Sequence, residues 1–162
     1  MVDHSRRQGS HPLGSAPESA KNLPIDLRFA RFDSKETVSF KDFAGKVVLV
    51  NFWASWCEAC MAEMPSIQKL YDQLKGEGFQ VIAINVDDKP EKVVPQIVKG
   101  LHLTFPIYTE GDGELSKAFD VVAIPFSVVA DRQQKIIMQE AGERDWSSEA
   151  TVAEIRKLLK PI

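Results

Sequence analysis

Cys57 and Cys60 are the only cysteines among 162 residues. They stand three positions apart in a stretch, residues 51–65, that also holds Trp53 and Trp56, two of the three tryptophans. A Cys-x-x-Cys pair of this kind reads as a redox-active dithiol. Attack on a disulfide requires a thiolate, and a free thiol near pKa 8.5 is mostly protonated at neutral pH. Cys57 falls at the expected first turn of a helix, where unpaired N–H groups and the helix dipole favour a negative sulfur. Cys60 follows one turn later, close enough to attack a mixed disulfide on Cys57 and release the partner reduced. Cys57 is therefore expected to be the exposed attacking thiol and Cys60 the resolving one. Glu58 opposes part of the helix effect, because a neighbouring carboxylate disfavours the thiolate, so the lowering at Cys57 is expected to be modest. Closing so short a loop constrains the unfolded chain little, which makes the pair worth more as chemistry than as a staple.

A zinc site would need about four ligands. His102 is the only Cys or His beyond the pair outside the first 22 residues, and it reads as a helix-end or surface histidine. His4 and His11 read as solvated tail histidines. No metal and no cofactor is expected. With 44% hydrophobic and 27% charged residues, the chain has the composition of one soluble globular domain. A net charge of −3 gives no reason to expect nucleic acid as a partner, and no basic run suggests an anionic membrane surface. No stretch approaches the roughly 18–20 apolar residues of a membrane span. The first 24 residues also lack the apolar core of a signal peptide.

The elements that must position the dithiol follow from periodicity. Residues 1–22, rich in Ser, Gly, Pro, His and Arg, read as a flexible tail or linker, and residues 23–162 as the domain. Ile25, Leu27, Phe29 and Phe32 alternate with polar residues as a half-buried strand does. A turn at 33–36 and a second strand at 37–40 make a hairpin. Residues 47–52 form a nearly continuous apolar run, the mark of a central strand covered on both faces. Cys60, Met64, Ile67, Tyr71 and Leu74 then recur at helical spacing, with Pro65 expected to kink the helix and Gly76 and Gly78 to end it. A buried strand at 79–86 follows, then a helix from Pro90 to about Lys99 closed by Gly100. A strand at 103–108 and a short helix at 113–119 come next. Strands at 126–130 and 136–140 flank a turn at 131–134, and a last helix over 148–159 turns Val152, Ile155 and Leu159 inward. The order is ββ, βαβα, βα, ββα: an α/β chain with helices on both faces of a mixed sheet.

The run Val-Leu-Val-Asn-Phe-Trp-Ala-Ser-Trp-Cys-x-x-Cys, followed by Glu63-Met64-Pro65, resembles the thioredoxin superfamily. More narrowly it resembles the TlpA/ResA group of bacterial extracytoplasmic thiol–disulfide oxidoreductases. The likeness extends to the hairpin at 27–45, to Ala123-Ile124-Pro125 before a strand, and to residues 142–146 before the last helix. It implies a thioredoxin-like fold with an N-terminal β-hairpin and a central αβ insertion, supplied from Asp88 to about Phe105. It implies a cis bond before Pro125, with the Ile124–Pro125 loop against the dithiol and offering backbone groups to a substrate strand. Read on the helix alone, Glu63 is a solvated charge. The resemblance instead places it near the cysteines, tuning their acid–base behaviour. Thioredoxin has a buried aspartate where this chain has Asn51, so Glu63 is the one nearby candidate to move the Cys60 proton. Trp53 and Trp56 are expected to wall the site, and Trp56 is a candidate flat contact for substrate, although packing alone would explain either.

Three departures bear on function. Ala59 stands where a proline usually precedes the second cysteine, which leaves the direction of electron flow open. Residues 121–126 replace the loop typical of the dedicated cytochrome c maturation thioredoxins, which favours the general TlpA/ResA group. Ala54 replaces the threonine of a peroxiredoxin-type thiol peroxidase, and the cysteine spacing is one residue short of a copper chaperone on the same fold. These two remain the alternatives. The resemblance implies an oxidoreductase, tethered or exported to the periplasm or the outer face of the membrane, whose leader or anchor is not in this chain, and a monomer is expected. It would take electrons from a membrane thiol donor and reduce disulfide-bearing proteins, with cytochrome c or cytochrome oxidase assembly as a candidate setting.

Overall fold

An apolar run of seven residues can be buried only if both faces of its strand are covered, and the run ending at Trp53 meets that condition. The computed structural model describes residues 21–160. Its strands are β1 (Arg28–Arg31), β2 (Thr37–Ser39), β3 (Val47–Trp53), β4 (Phe79–Asn85), β5 (Ile107–Thr109), β6 (Phe126–Ala130) and β7 (Ile136–Ala141). Its helices are α1 (Glu58–Leu74), α2 (Pro90–Gly100), α3 (Glu114–Ala118) and α4 (Glu149–Leu159). The order along the chain is the expected one. The strands form one mixed sheet in the order β2-β1-β5-β4-β3-β6-β7. The neighbours β3–β4 and β4–β5 are parallel and the other pairs antiparallel.

Alternation along β3 divides two cores. Val47, Leu49 and Trp53 pack with α1, Val94 of α2, and Val152, Ile155 and Leu159 of α4. Val48, Val50 and Phe52 pack on the opposite face with Phe29, Phe40 and Leu115 of α3. The period-2 geometry of a strand sends successive side chains to opposite faces, so one apolar run serves both layers. Helices thus cover both faces, with the thioredoxin-like arrangement that the resemblance implied. Lys21 and Asn22 are drawn in: Lys21 O accepts from Ile136 N at 2.9 Å, and Asn22 bridges to Lys135. The rest of the expected tail, with His4 and His11, lies outside the described residues.

Some boundaries differ from those expected. Ile25 is 38% exposed, outside β1. Phe40 ends no strand but opens a 3-10 turn, Phe40–Phe43, which rolls its ring into the core. The strand expected at 103–108 begins at Ile107; Leu103 and Phe105 are buried as loop residues beneath α2. Gly100 lies inside α2, and it is His102, exposed at φ +53°, that takes the left-handed position after it.

Helix α1 continues through Pro65 without a break. Its inner stripe is Cys60, Glu63, Met64, Ile67, Leu70 and Leu74. Tyr71, expected on that stripe, is half-buried beside the Phe105 ring, with centroids 6.0 Å apart. Ile67 is fully buried at the centre of the stripe. Ile67→Ala is expected to cost about 2–5 kcal/mol of stability through lost burial and a residual cavity. The urea midpoint would fall at constant m-value.

Candidate active site

The sheet delivers its central strand to one edge, and the dithiol sits where that strand turns into α1. The last rung between β3 and the chain leaving β4 is Val86 N donating to Trp53 O at 2.9 Å. Cys57 N then donates to Ala54 O at 3.2 Å, closing a turn over residues 54–57. Cys57 is the N-cap of α1, in extended conformation at φ −92° and ψ 106°. Its Sγ accepts from Cys60 N at 3.2 Å, so one of the otherwise unpaired helix N–H groups points at the sulfur. A backbone donor at a reduced sulfur in this place would favour a thiolate over the neutral thiol. Cys57 and Cys60 are joined as a disulfide, with Cα atoms 5.2 Å apart. Cys57 keeps 7% of its surface and Cys60 only 1%. Cys57 is therefore the more accessible of the two, but joined to Cys60 it is buried and not the exposed thiol expected.

The β3–β6 register pairs Phe52 with Phe126, which carries the preceding Ile124–Pro125 segment to the edge where the dithiol turn lies. The Ile124–Pro125 peptide is cis, as the resemblance implied. Pro125 is buried and its carbonyl accepts from Gly142 N at 2.8 Å. Ile124 is half-buried and touches both cores. The two tryptophans part company. Trp56 is 71% exposed, whereas Trp53 is fully buried, in the core cluster that also holds Cys57 and Cys60. Val122, which sequence reasoning passed over, is 88% exposed in the loop before Pro125.

Glu63 overturns the reading of a solvated charge. It is 2% exposed and accepts three hydrogen bonds. Its Oε1 accepts from Asn51 Nδ2 at 3.0 Å, and its Oε2 from Arg144 N at 2.9 Å and Trp146 Nε1 at 3.1 Å. Asn51 Nδ2 also donates to Ser127 Oγ at 3.0 Å across the β3–β6 pair. The Arg144 guanidinium bonds Thr151 Oγ1 at 2.8 Å and Glu140 at 3.3 Å, and lies 5.3 Å from the Trp146 ring centroid. Loss of hydration on burial pushes the Glu63 carboxyl up to about 7, and the donors from Trp146, Arg144 and Asn51 hold that rise in check. A carboxyl near 7 can both take and return a proton at neutral pH.

Asn51 stood out in the sequence as the one polar residue of an apolar run. Arg144 and Trp146, more than 80 residues from Glu63, carried no local signal of their part. Nor did Asp87, which holds the residue before Trp56: Ser55 N and Ser55 Oγ both donate to its carboxylate at 2.8 Å. Among the described residues, no three His, Cys, Asp or Glu side chains are grouped to hold a metal ion, and no helix is long and apolar enough to cross a membrane.

Residues 19–159 match the family model described as Redoxin. A thiol-disulfide oxidoreductase ResA of Bacillus thuringiensis subsp. konkukian (strain 97-27) is 34% identical over 125 residues, covering 77% of this chain and 68% of that protein. The ResA of Halalkalibacterium halodurans is 30% identical over 150 residues, covering 92% and 80%. Two solved structures share the fold. A thiol:disulfide interchange protein of the thioredoxin family from Chlorobium tepidum TLS superimposes with a TM-score of 0.74 at 22% identity, covering 90% of this chain and 100% of that one. StoA from Bacillus subtilis gives 0.63 at 22% identity, covering 90% and 99%.

Proposed function

Since this chain belongs to the Redoxin family and is a ResA-like thiol–disulfide oxidoreductase of the thioredoxin superfamily, acting on disulfide-bearing substrates, we propose that it works as a reductase outside the cytoplasm through Cys57 and Cys60. The observation that carries this reading is the pairing of a helix N–H aimed at Cys57 Sγ with a buried carboxyl, Glu63, one turn beyond Cys60. Starting from the dithiol, the Cys57 thiolate attacks one sulfur of a substrate disulfide. That S–S bond breaks, and the departing substrate sulfur takes up a proton. Glu63 then accepts the Cys60 proton, and the Cys60 thiolate attacks Cys57. The Cys57–Cys60 bond forms as the second substrate sulfur leaves, so two electrons pass from the protein pair to the substrate. A thiol donor at the membrane restores the dithiol.

Trp56, exposed beside Cys57, and the Ile124–Pro125 loop are the surfaces proposed to receive the substrate strand. Val122 extends them with a second exposed apolar side chain. Residues 21–162 are the proposed catalytic unit, acting as a monomer without nucleic acid, since Lys21 and Asn22 are bonded to the 135–136 segment, and residues 1–20 are the proposed linker. Cytochrome biogenesis is the proposed setting, resting on the ResA resemblance. Reduction of insulin disulfides, together with the potential of the Cys57–Cys60 pair, tests the reading. A potential near about −270 mV supports a reductase, and one near about −120 mV would make the protein an oxidant.

A further inference from the structure

The turn that carries Cys57 is held from outside as well as by its own hydrogen bond. Asp87 lies two residues beyond β4, and its carboxylate grips a single residue twice. Oδ2 accepts from Ser55 N at 2.8 Å and Oδ1 accepts from Ser55 Oγ at 2.8 Å. The carboxylate is in turn tied to the sheet. Asn85, 2% exposed and paired with Trp53 across the β3–β4 ladder, donates from Nδ2 to Asp87 Oδ2 at 2.8 Å. Asn85 also accepts from Asp87 N at 3.0 Å through its Oδ1. Both ends of the chain Asn85–Asp87–Ser55 are therefore fixed, one in a buried strand and the other two residues before the reactive sulfur.

Two bonds on one carboxylate fix Ser55 more tightly than either alone, because the backbone N–H sets the peptide plane and the hydroxyl sets the side-chain rotamer. Hydrogen bonds to an ionised acceptor are also about twice as strong as neutral ones. Ser55 sits inside the turn closed by Cys57 N and Ala54 O, so its orientation decides where the next two side chains, Trp56 and Cys57, emerge. Thiol–disulfide exchange passes through attack on one particular sulfur, and a reacting atom displaced by about 1 Å can cost on the order of 10²-fold in rate.

We propose that Asp87 is a positioning residue for thiol–disulfide exchange, which through Ser55 holds the 54–57 turn so that Cys57 Sγ meets the incoming disulfide in line. This rests on Cys57 being the attacking sulfur. Neither Asp87 nor Ser55 exchanges electrons or protons with the substrate; their part is geometric.

The test compares the reduced protein with its Asp87→Ala, Ser55→Ala and doubly substituted variants, using oxidised glutathione as the disulfide and following the second-order rate constant across pH. Iodoacetamide alkylation over the same range gives the Cys57 titration, which separates a loss of thiolate from a loss of geometry. Asp87→Ala is expected to lower the plateau rate with glutathione disulfide about 10- to 100-fold. Ser55→Ala, which keeps the backbone N–H bond, is expected to lower it about threefold, and the double variant to be no slower than Asp87→Ala alone. A plateau rate within twofold of the parent in Asp87→Ala, whatever its melting temperature, would overturn the proposal. So would effects of the two substitutions that multiply. Should Asp87→Ala fail to fold, an unchanged plateau in Ser55→Ala overturns it equally. If glutathione on the unmodified protein is found on Cys60 and not on Cys57, the assignment of the attacking sulfur fails, and this proposal with it.

Discussion

A Cys60→Ser variant is expected to halt after the first half of the reaction and to accumulate as a mixed disulfide through Cys57. Cys57 remains the more accessible of the two positions, and the Cys60 N–H beside its sulfur belongs to the backbone and survives the substitution. A serine hydroxyl cannot expel the substrate sulfur, so steady-state insulin reduction should fall on the order of 10³-fold or more. The trapped species should appear on a non-reducing gel, and mass spectrometry should place the bond on Cys57. Cys57→Ser should lose turnover equally but trap nothing, because the sulfur that remains is 1% exposed. Accumulation of a substrate adduct in Cys57→Ser, and not in Cys60→Ser, would reverse the two roles.

Glu63→Gln is expected to change stability and rate in opposite directions. Burial raises the Glu63 carboxyl from its ordinary 4.5 to about 7 in the folded chain. Below pH 4.5 both folded and unfolded chains keep the proton, and the stability of the protonated form is fully present. Between 4.5 and 7 the unfolded chain releases the proton while the folded chain retains it. The folded state then binds more protons, and stability falls as pH rises. Above 7 both are ionised and the loss is complete, on the order of 3 kcal/mol at 1.36 kcal/mol per unit. Glutamine carries no such dependence. Urea denaturation should show the variant gaining on the parent between pH 5 and 8. Its carbonyl can still accept from Arg144 N and Trp146 Nε1. Its amide can donate to Asn51 Oδ1, a buried acceptor without a partner, once the Asn51 amide turns over. Release of the mixed disulfide should meanwhile slow by about 10²-fold at pH 7, the usual contribution of a positioned base. The deficit should shrink as pH rises, because hydroxide increasingly takes over the removal of the proton. Equal release rates at pH 7 would remove Glu63 from the proton path.

Local pattern accounts for a large part of this protein. The periods of 2 and 3.6 that mark strands and helices are properties of neighbouring residues. The element order, the double-faced burial of β3 and the amphipathic stripe of α1 were therefore legible in the chain. So was the dithiol, because Cys-x-x-Cys at a strand-to-helix junction places its sulfurs one helical turn apart. Boundaries were less legible where a tight turn competes with an extended run, as at Phe40, and where loop residues such as Leu103 and Phe105 are buried without belonging to a strand.

What surrounds Glu63 was decided by the tertiary structure. Glu63 lies at the margin of the α1 stripe, where helical spacing alone allows either solvent or core. It turns inward because Arg144 N and Trp146 Nε1, contributed by the approach to α4, supply donors that a buried carboxylate requires. Trp53 and Trp56, three residues apart in the sequence, separate into core and surface because one ends a strand and the other lies in the turn that follows it. The brace from Asp87 to Ser55 spans two parallel strands whose registry no local pattern encodes. Sequence by itself determined which atoms can react, since covalent chemistry belongs to residue type and short-range spacing. Only the folded chain decided what surrounds them, since burial, hydrogen bonding and alignment belong to residues that meet through space.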